Sequence, residues 1–334
     1  MKLDSLFTDN IIFAENRQIR VFGESDGEIT VRFRDSEVTV VPDNGKWIAK
    51  LPAAEAGGPY ELEVCGDGER VILKNVYVGR VYLVAGQSNA EFQLCSSNEP
   101  ESGYETDPLL RNYYIARPWY DSDPCKTGDG WLTAKKENVG AWSAIAYLAG
   151  RETRRLTGKA VGVITCAQGA SIIESWLPSD IADKYKLDES LLMIDHTYPD
   201  YAAFNKAGVI YEKMLSKILP FSYNGVIWYQ GESDTTVAEG DIYDKELASL
   251  MRVIREAQDC PSLPFAIIQI ADYDGRKEYD PEGWRAIQDA QERAADKDAH
   301  ATLIISKDVC ESECIHPIHK TELSVRAAKA LCGN

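Results

Sequence analysis

Four polar segments of this sequence carry residue types that could do chemistry together: Gly86-Gln87-Ser88-Asn89, Gln168-Gly169-Ala170-Ser171, Tyr229-Gln230-Gly231-Glu232-Ser233-Asp234, and the stretch from Asp308 to Pro317. They supply a hydroxyl, glycine backbone donors and an acid–histidine pair. A serine hydroxyl is a weak nucleophile until a base within hydrogen-bond reach takes its proton, and that base must itself be held by a third group. Histidine occurs four times, at 196, 300, 316 and 319. His300 directly precedes an apolar run and His196 lies in a Tyr/Asp-rich stretch, whereas His316 follows the acids Glu311 and Glu313. His316 is the expected base. Other readings stand beside this one. Ser88 suits the cap of a strand-to-helix turn. Cys310, Cys314, His316 and His319 could be read as a zinc cluster, although their spacing is more compact than the common pattern. Gly86 to Ala90 also nearly matches the G-x-S-x-G elbow. That elbow follows several strands of its sheet, while Ser88 follows what reads as the first.

The elements around these segments are of two kinds. From Ile19 to about Val84 the chain alternates in short runs, Ile19–Gly23, Glu28–Arg34, Glu37–Val41, Lys46–Leu51, Tyr60–Val64 and Arg70–Val76, separated by turn clusters. Period-two patterning with such turn spacing predicts an antiparallel sandwich. From Val81 onward, buried-type runs alternate with helical spacing. The runs are Val81–Ala85, Ala160–Ile164, Gly225–Trp228, Phe265–Ile270 and Ala301–Ile305; the helices are predicted at Trp142–Ala149, Asp241–Arg255 and Trp284–Ala295. This alternation predicts a parallel sheet covered on both faces. The expected division is an all-β unit over 1–79 and an α/β unit over 80–334. In such sheets ligands bind beyond the carboxyl ends of the strands, where the polar segments fall.

Composition narrows the classes. The 334 residues hold 36 Lys+Arg against 53 Asp+Glu, a formal charge of −17, with no basic run, which argues against nucleic acid as a partner. No apolar stretch approaches the length of a membrane span. The first residues carry no signal-peptide pattern, so a cytoplasmic location is expected. Eight cysteines spread over this length read as mostly reduced thiols. The sequence leaves the oligomeric state open. Aromatic side chains gather from Tyr113-Tyr114 through Trp119-Tyr120 to Trp131, with Trp176 beyond. They could form a sugar-stacking platform or simply core.

Taken together, the chain resembles the SGNH hydrolase superfamily, and within it the sialate O-acetylesterase-like and acetylxylan-esterase-like carbohydrate esterases. Val84-Ala85-Gly86-Gln87-Ser88-Asn89 looks like the nucleophile block, Trp228-Tyr229-Gln230-Gly231-Glu232-Ser233 like the WYQGES block, and Ile315-His316-Pro317 like the terminal His-Pro block. Gly45-Lys46-Trp47, Gly58-Pro59-Tyr60 and Asn75 to Gly79 resemble the β-unit that precedes the catalytic domain in sialate esterases. The resemblance implies a flavodoxin-like, three-layer αβα domain. In it Ser88 would attack an acetyl ester of a carbohydrate and His316 would take the proton, with no metal or cofactor. Glu313 would be the acid, with Asp308 or Glu311 as substitutes, because closer relatives often carry Asp where Cys314 stands. The backbone N–H groups of Ser88 and Gly169 and the side chain of Gln230 would stabilise the oxyanion, the usual Asn position being occupied by Ser233. Glu232, Trp176 and Trp119 would meet the sugar. The alternative function is a glycan-binding protein on a degenerate esterase scaffold.

Overall fold

The computed structural model describes residues 1–120, 123, 128–193, 201–274 and 280–333. Its N-terminal strands are β1 (Lys2–Leu3), β2 (Ile12–Ala14), β3 (Ile19–Glu24), β4 (Ile29–Phe33), β5 (Ser36–Val40), β6 (Lys46–Leu51), β7 (Gly57–Gly66) and β8 (Glu69–Gly86). One antiparallel sheet runs β1-β3-β6, and β5-β4-β7-β8 forms the other, with β2 parallel against β8. Alternation decides which side chains go inside. Trp47, Ala49 and Leu51 of β6 and Ile29, Val31 and Phe33 of β4 are buried, while their neighbours along each strand are more exposed.

The α/β part adds β9 (Asp107–Tyr114), β10 (Leu132–Ala134), β11 (Val161–Ala167), β12 (Gly225–Tyr229), β13 (Phe265–Ile268) and β14 (Ala301–Ile304). The strand order is β10-β9-β11-β8-β12-β13-β14, parallel throughout except for the antiparallel edge β10. Leaving out β9 and β10, this is the flavodoxin order, with its reversal at β8 and β12. Both faces are covered. Tyr82 and Val84 face the layer of helices Ala144–Thr157 and Thr321–Cys332, while Val81, Leu83 and Ala85 face that of Tyr243–Ala257 and Pro281–Asp296. Every residue of β11 and β12 is buried, as two covered faces require. Among the described residues no helix is long and apolar enough to cross a membrane.

Two features differ from the sequence reading. Arg70–Val76 and Val81–Ala85 are one strand, so the expected boundary at 79/80 falls inside β8 rather than in a linker. The joint is packed accordingly. Phe7 and Phe13 lie 6.2 and 5.7 Å from Phe221, and Arg17 and Arg20 donate to the Gln258 and Ala257 carbonyls at the end of the Tyr243–Ala257 helix, where carbonyls lack partners of their own. The second difference is β9, which the sequence reading left as the start of an aromatic loop. It carries two buried polar residues, Arg111 and Asn112, which hide its strand character. Arg111 donates to the Asn10 and Asn75 carbonyls and Asn112 accepts from Thr165, so both are satisfied inside.

Candidate active site

The carboxyl ends of β8, β11 and β12 meet at the reversal point. Gly86 closes β8 at φ +140°, and a side chain there would put its Cβ 2.0 Å from the Tyr229 carbonyl oxygen of β12. The close approach lets Gln87 N–H donate to that carbonyl at 3.0 Å. The chain then turns into the short helix Ser88–Glu91, whose first N–H groups have no preceding turn to bond. Gln87 is buried and ties the first segment to the third: its Oε1 accepts from Gly231 N–H at 3.1 Å and its Nε2 donates to Ser233 Oγ at 3.2 Å.

His316 comes to this point from the loop before the helix Thr321–Cys332, with Nε2 2.8 Å from Ser88 Oγ. Both residues are half-buried. In the tautomer with the imidazole proton on Nδ1, Nε2 accepts from the Ser88 hydroxyl, the arrangement a general base requires. Burial, and then the nearby Lys320 charge, lower the His316 pKa, which keeps the ring a neutral base at neutral pH.

The predicted acid is elsewhere. Glu313 is exposed and makes no bond to His316, because the loop presents it to solvent. The substitutes are also engaged: Glu311 accepts from His319 Nδ1 at 2.6 Å and from Ile318 N–H, and Asp308 is paired with Arg326. Among the described residues no carboxylate bonds the His316 ring. The zinc reading also loses its ligands. Cys310 donates to the His319 carbonyl and Cys314 is exposed, and no group of three or more potential ligands converges among the described residues. His300 is exposed at the edge of β14, and His196 and Cys125 lie outside the described residues.

Of the expected oxyanion donors, Gly169 sits directly against the serine, where a Cβ would lie 3.4 Å from that of Ser88. Burial raises the pKa of the adjacent Glu91, and the Arg117 charge and the Gly169 N–H work against that rise. Gln230 does not serve. It is fully buried, its two amide protons go to the Ser171 carbonyl at 2.8 Å and to Asp234, and its Oε1 accepts from Tyr243 at 2.8 Å. Ser233 lines the cavity in its place.

That cavity is about 890 Å³, in the range of small-ligand sites. Trp119 lines it as expected, its Nε1 donating to Gln168 Oε1 and its ring 5.4 Å from Phe204. Glu232 lines it too, with Oε1 accepting from Asn89 at 2.6 Å and Oε2 buried without a partner. Trp176 is core instead, fully buried edge-on against Trp228 with its Nε1 bonded to Ser171 Oγ, because its helical turn faces the interior. Tyr120, Tyr201 and Phe204 supply the other aromatic surface. The sequence reading missed Arg117. It is 4% exposed, donates to both Glu91 oxygens at 3.0 and 3.1 Å, pairs with Asp123, and stacks over Tyr120. Its neighbours in sequence gave no sign of this, since both carboxylates reach it only in the folded chain.

Comparison with known proteins places this arrangement. Residues 78–331 match the family model "Carbohydrate esterase, sialic acid-specific acetylesterase". Human sialate O-acetylesterase is 22% identical over 342 residues, covering 91% of this chain, and the mouse protein is 20% identical over 366. The chain spans 65% of the length of the human relative. A carbohydrate acetylesterase from Xanthomonas citri superposes with a TM-score of 0.83 at 28% identity, over 98% of this chain and 74% of that one. With the model covering three quarters of its length, the chain belongs to the carbohydrate esterase family of sialic acid-specific acetylesterases.

Proposed function

We propose that this protein is a carbohydrate O-acetylesterase in which Ser88 is the nucleophile and His316 the base. The observation that carries the reading is the 2.8 Å contact between Ser88 Oγ and His316 Nε2, at the mouth of a cavity large enough for sugar rings. Ser88 Oγ adds to the acetyl carbonyl carbon as its proton passes to His316 Nε2. The negative oxygen is met by the N–H groups of Ser88 and Gly169. Collapse breaks the bond to the sugar oxygen, which takes the proton from His316, leaving acetyl-Ser88. Water then adds to the acetyl carbon as its proton passes to His316, and collapse breaks the bond to Ser88 Oγ, which takes the proton back as acetate leaves. With no carboxylate among the described residues on the imidazole, the imidazolium formed in each step is stabilised less than in a complete triad.

The wall favours an uncharged sugar. Among the described residues its charged side chains are Glu91, Glu232 and Arg117, and the guanidinium is already engaged by Glu91 and Asp123. A sugar carboxylate would meet net negative charge there. Ser88→Ala should lower acetate release from 4-nitrophenyl acetate by roughly 10⁴-fold or more. Acetylated xylo-oligosaccharides should be cleaved faster than 9-O-acetylated sialic acid, and methyl esterification of the sialate carboxyl should recover its turnover. That no described carboxylate bonds the His316 ring favours a second reading, a glycan-binding protein on this scaffold. Failure of a fluorophosphonate to label Ser88 would select it.

A further inference from the structure

Beneath Ser88 and His316 run three buried side chains. Lys320 is fully buried, its Nζ donating to Asn89 Oδ1 at 2.6 Å and lying 5.0 Å from the centres of the Phe92 and Tyr229 rings. Asn89 is 1% exposed, and its Nδ2 donates to Glu232 Oε1 at 2.6 Å and to the Ile315 carbonyl at 2.9 Å. An ammonium can only donate, and a carboxylate or carbonyl can only accept. One orientation of the amide therefore satisfies all three partners. Asn89 follows Ser88 in the chain and Ile315 precedes His316, so a single amide fixes the backbone of the base to that of the nucleophile.

We infer that the Lys320–Asn89–Glu232 relay is the positioning element of the site, holding His316 against Ser88 where a carboxylate on the imidazole would otherwise orient it. The inference rests on Ser88 and His316 acting as nucleophile and base. A lysine is rarely buried without a partner for its charge. Here Glu232 provides that charge through Asn89, and Lys320 also faces Cys310, Glu311 and Cys314. Burial brings its pKa down to about 8. The same cation helps keep the pKa of the neighbouring His316 low.

The test uses the full chain and 4-nitrophenyl acetate. Lys320→Met keeps the apolar stem and removes the charge. It should lower kcat by about a hundredfold with KM little changed, since the base is displaced rather than the substrate. It should also move the acid limb of kcat/KM to higher pH, because the imidazolium is no longer opposed by the cation. Asn89→Ala should cost kcat similarly. Glu232→Gln should cost less, because its side-chain oxygen still accepts from Asn89. If folded Lys320→Met and Asn89→Ala keep kcat within about twofold of wild type and the acid limb does not move, the relay is structural only and the inference fails. Should Lys320→Met not fold, Asn89→Ala decides in the same way. A wild type without Ser88-dependent turnover removes the esterase reading and the relay with it, whereas an active wild type with indifferent variants removes the relay alone.

Discussion

Glu232 and Asp234 stand two residues apart in one turn, yet the fold keeps them in opposite ways. Glu232 turns toward the cavity and meets Asn89, with Lys320 behind it. Burial raises its pKa, and the Asn89 amide and the Lys320 charge pull it back. Asp234 turns inward, accepting from Ile173 N–H at 3.0 Å and from the Gln230 amide, in the company of Glu174, Glu239 and Glu246. No described lysine or arginine forms an ion pair with Asp234, Glu239 or Glu246. Burial first, and then the neighbouring carboxylates, push the Asp234 and Glu246 pKa values well up, and burial brings that of Glu239 to about 7. On one side of the turn a buried carboxylate is answered by an amide donor and a cation. On the other, burial and neighbouring carboxylates favour the protonated acids, whose hydrogen bonds tie the core together.

The largest expected effect comes from cutting between the two sides. Gln230→Leu takes the amide donor from the Ser171 carbonyl and one partner each from Asp234 and the Tyr243 hydroxyl, at a cost of about 2–4 kcal/mol in unfolding free energy, read in a denaturant titration. Activity per folded molecule should change little. A fall of about a hundredfold or more in kcat would instead restore Gln230 as an oxyanion donor and erase the contrast. A smaller effect follows from the protons. A carboxyl group whose pKa is higher folded than unfolded stabilises fully below its unfolded value, here 4.5, and loses that contribution as pH rises through the folded value of about 7. Melting temperature should therefore fall by a few degrees between pH 5 and pH 8. Glu239→Gln should flatten the fall. The smallest effect is at Glu313: its replacement by alanine should leave kcat/KM within about twofold, because the side chain is exposed and far from the contest.

Much of this could be read from the sequence because strong local patterns coincide with position. Buried runs marked β8, β11 and β12, and the polar segments just beyond them include Ser88, Gly169 and Glu232. His316 was legible by elimination among four histidines. What stayed hidden depends on direction rather than identity. Gln230 sits in the most specific motif of the chain, yet its side chain points away from the cavity, and a motif does not say which way each member faces. Glu313 has the spacing of a catalytic acid, and the loop turns it outward. Lys320 has no pattern around it. Its role follows from Asn89, 231 positions away in the chain.

The strand β8 begins as the partner of β7 and ends two residues before Ser88. A gene cut at residue 80 would start in the middle of that strand and strip the Arg17 and Arg20 caps from the helix Tyr243–Ala257. The α/β half is therefore not a portable cassette. Fusions, domain swaps and shortened variants meant to keep Ser88 in place must carry the N-terminal sheets along, and heating should melt the two parts in one transition.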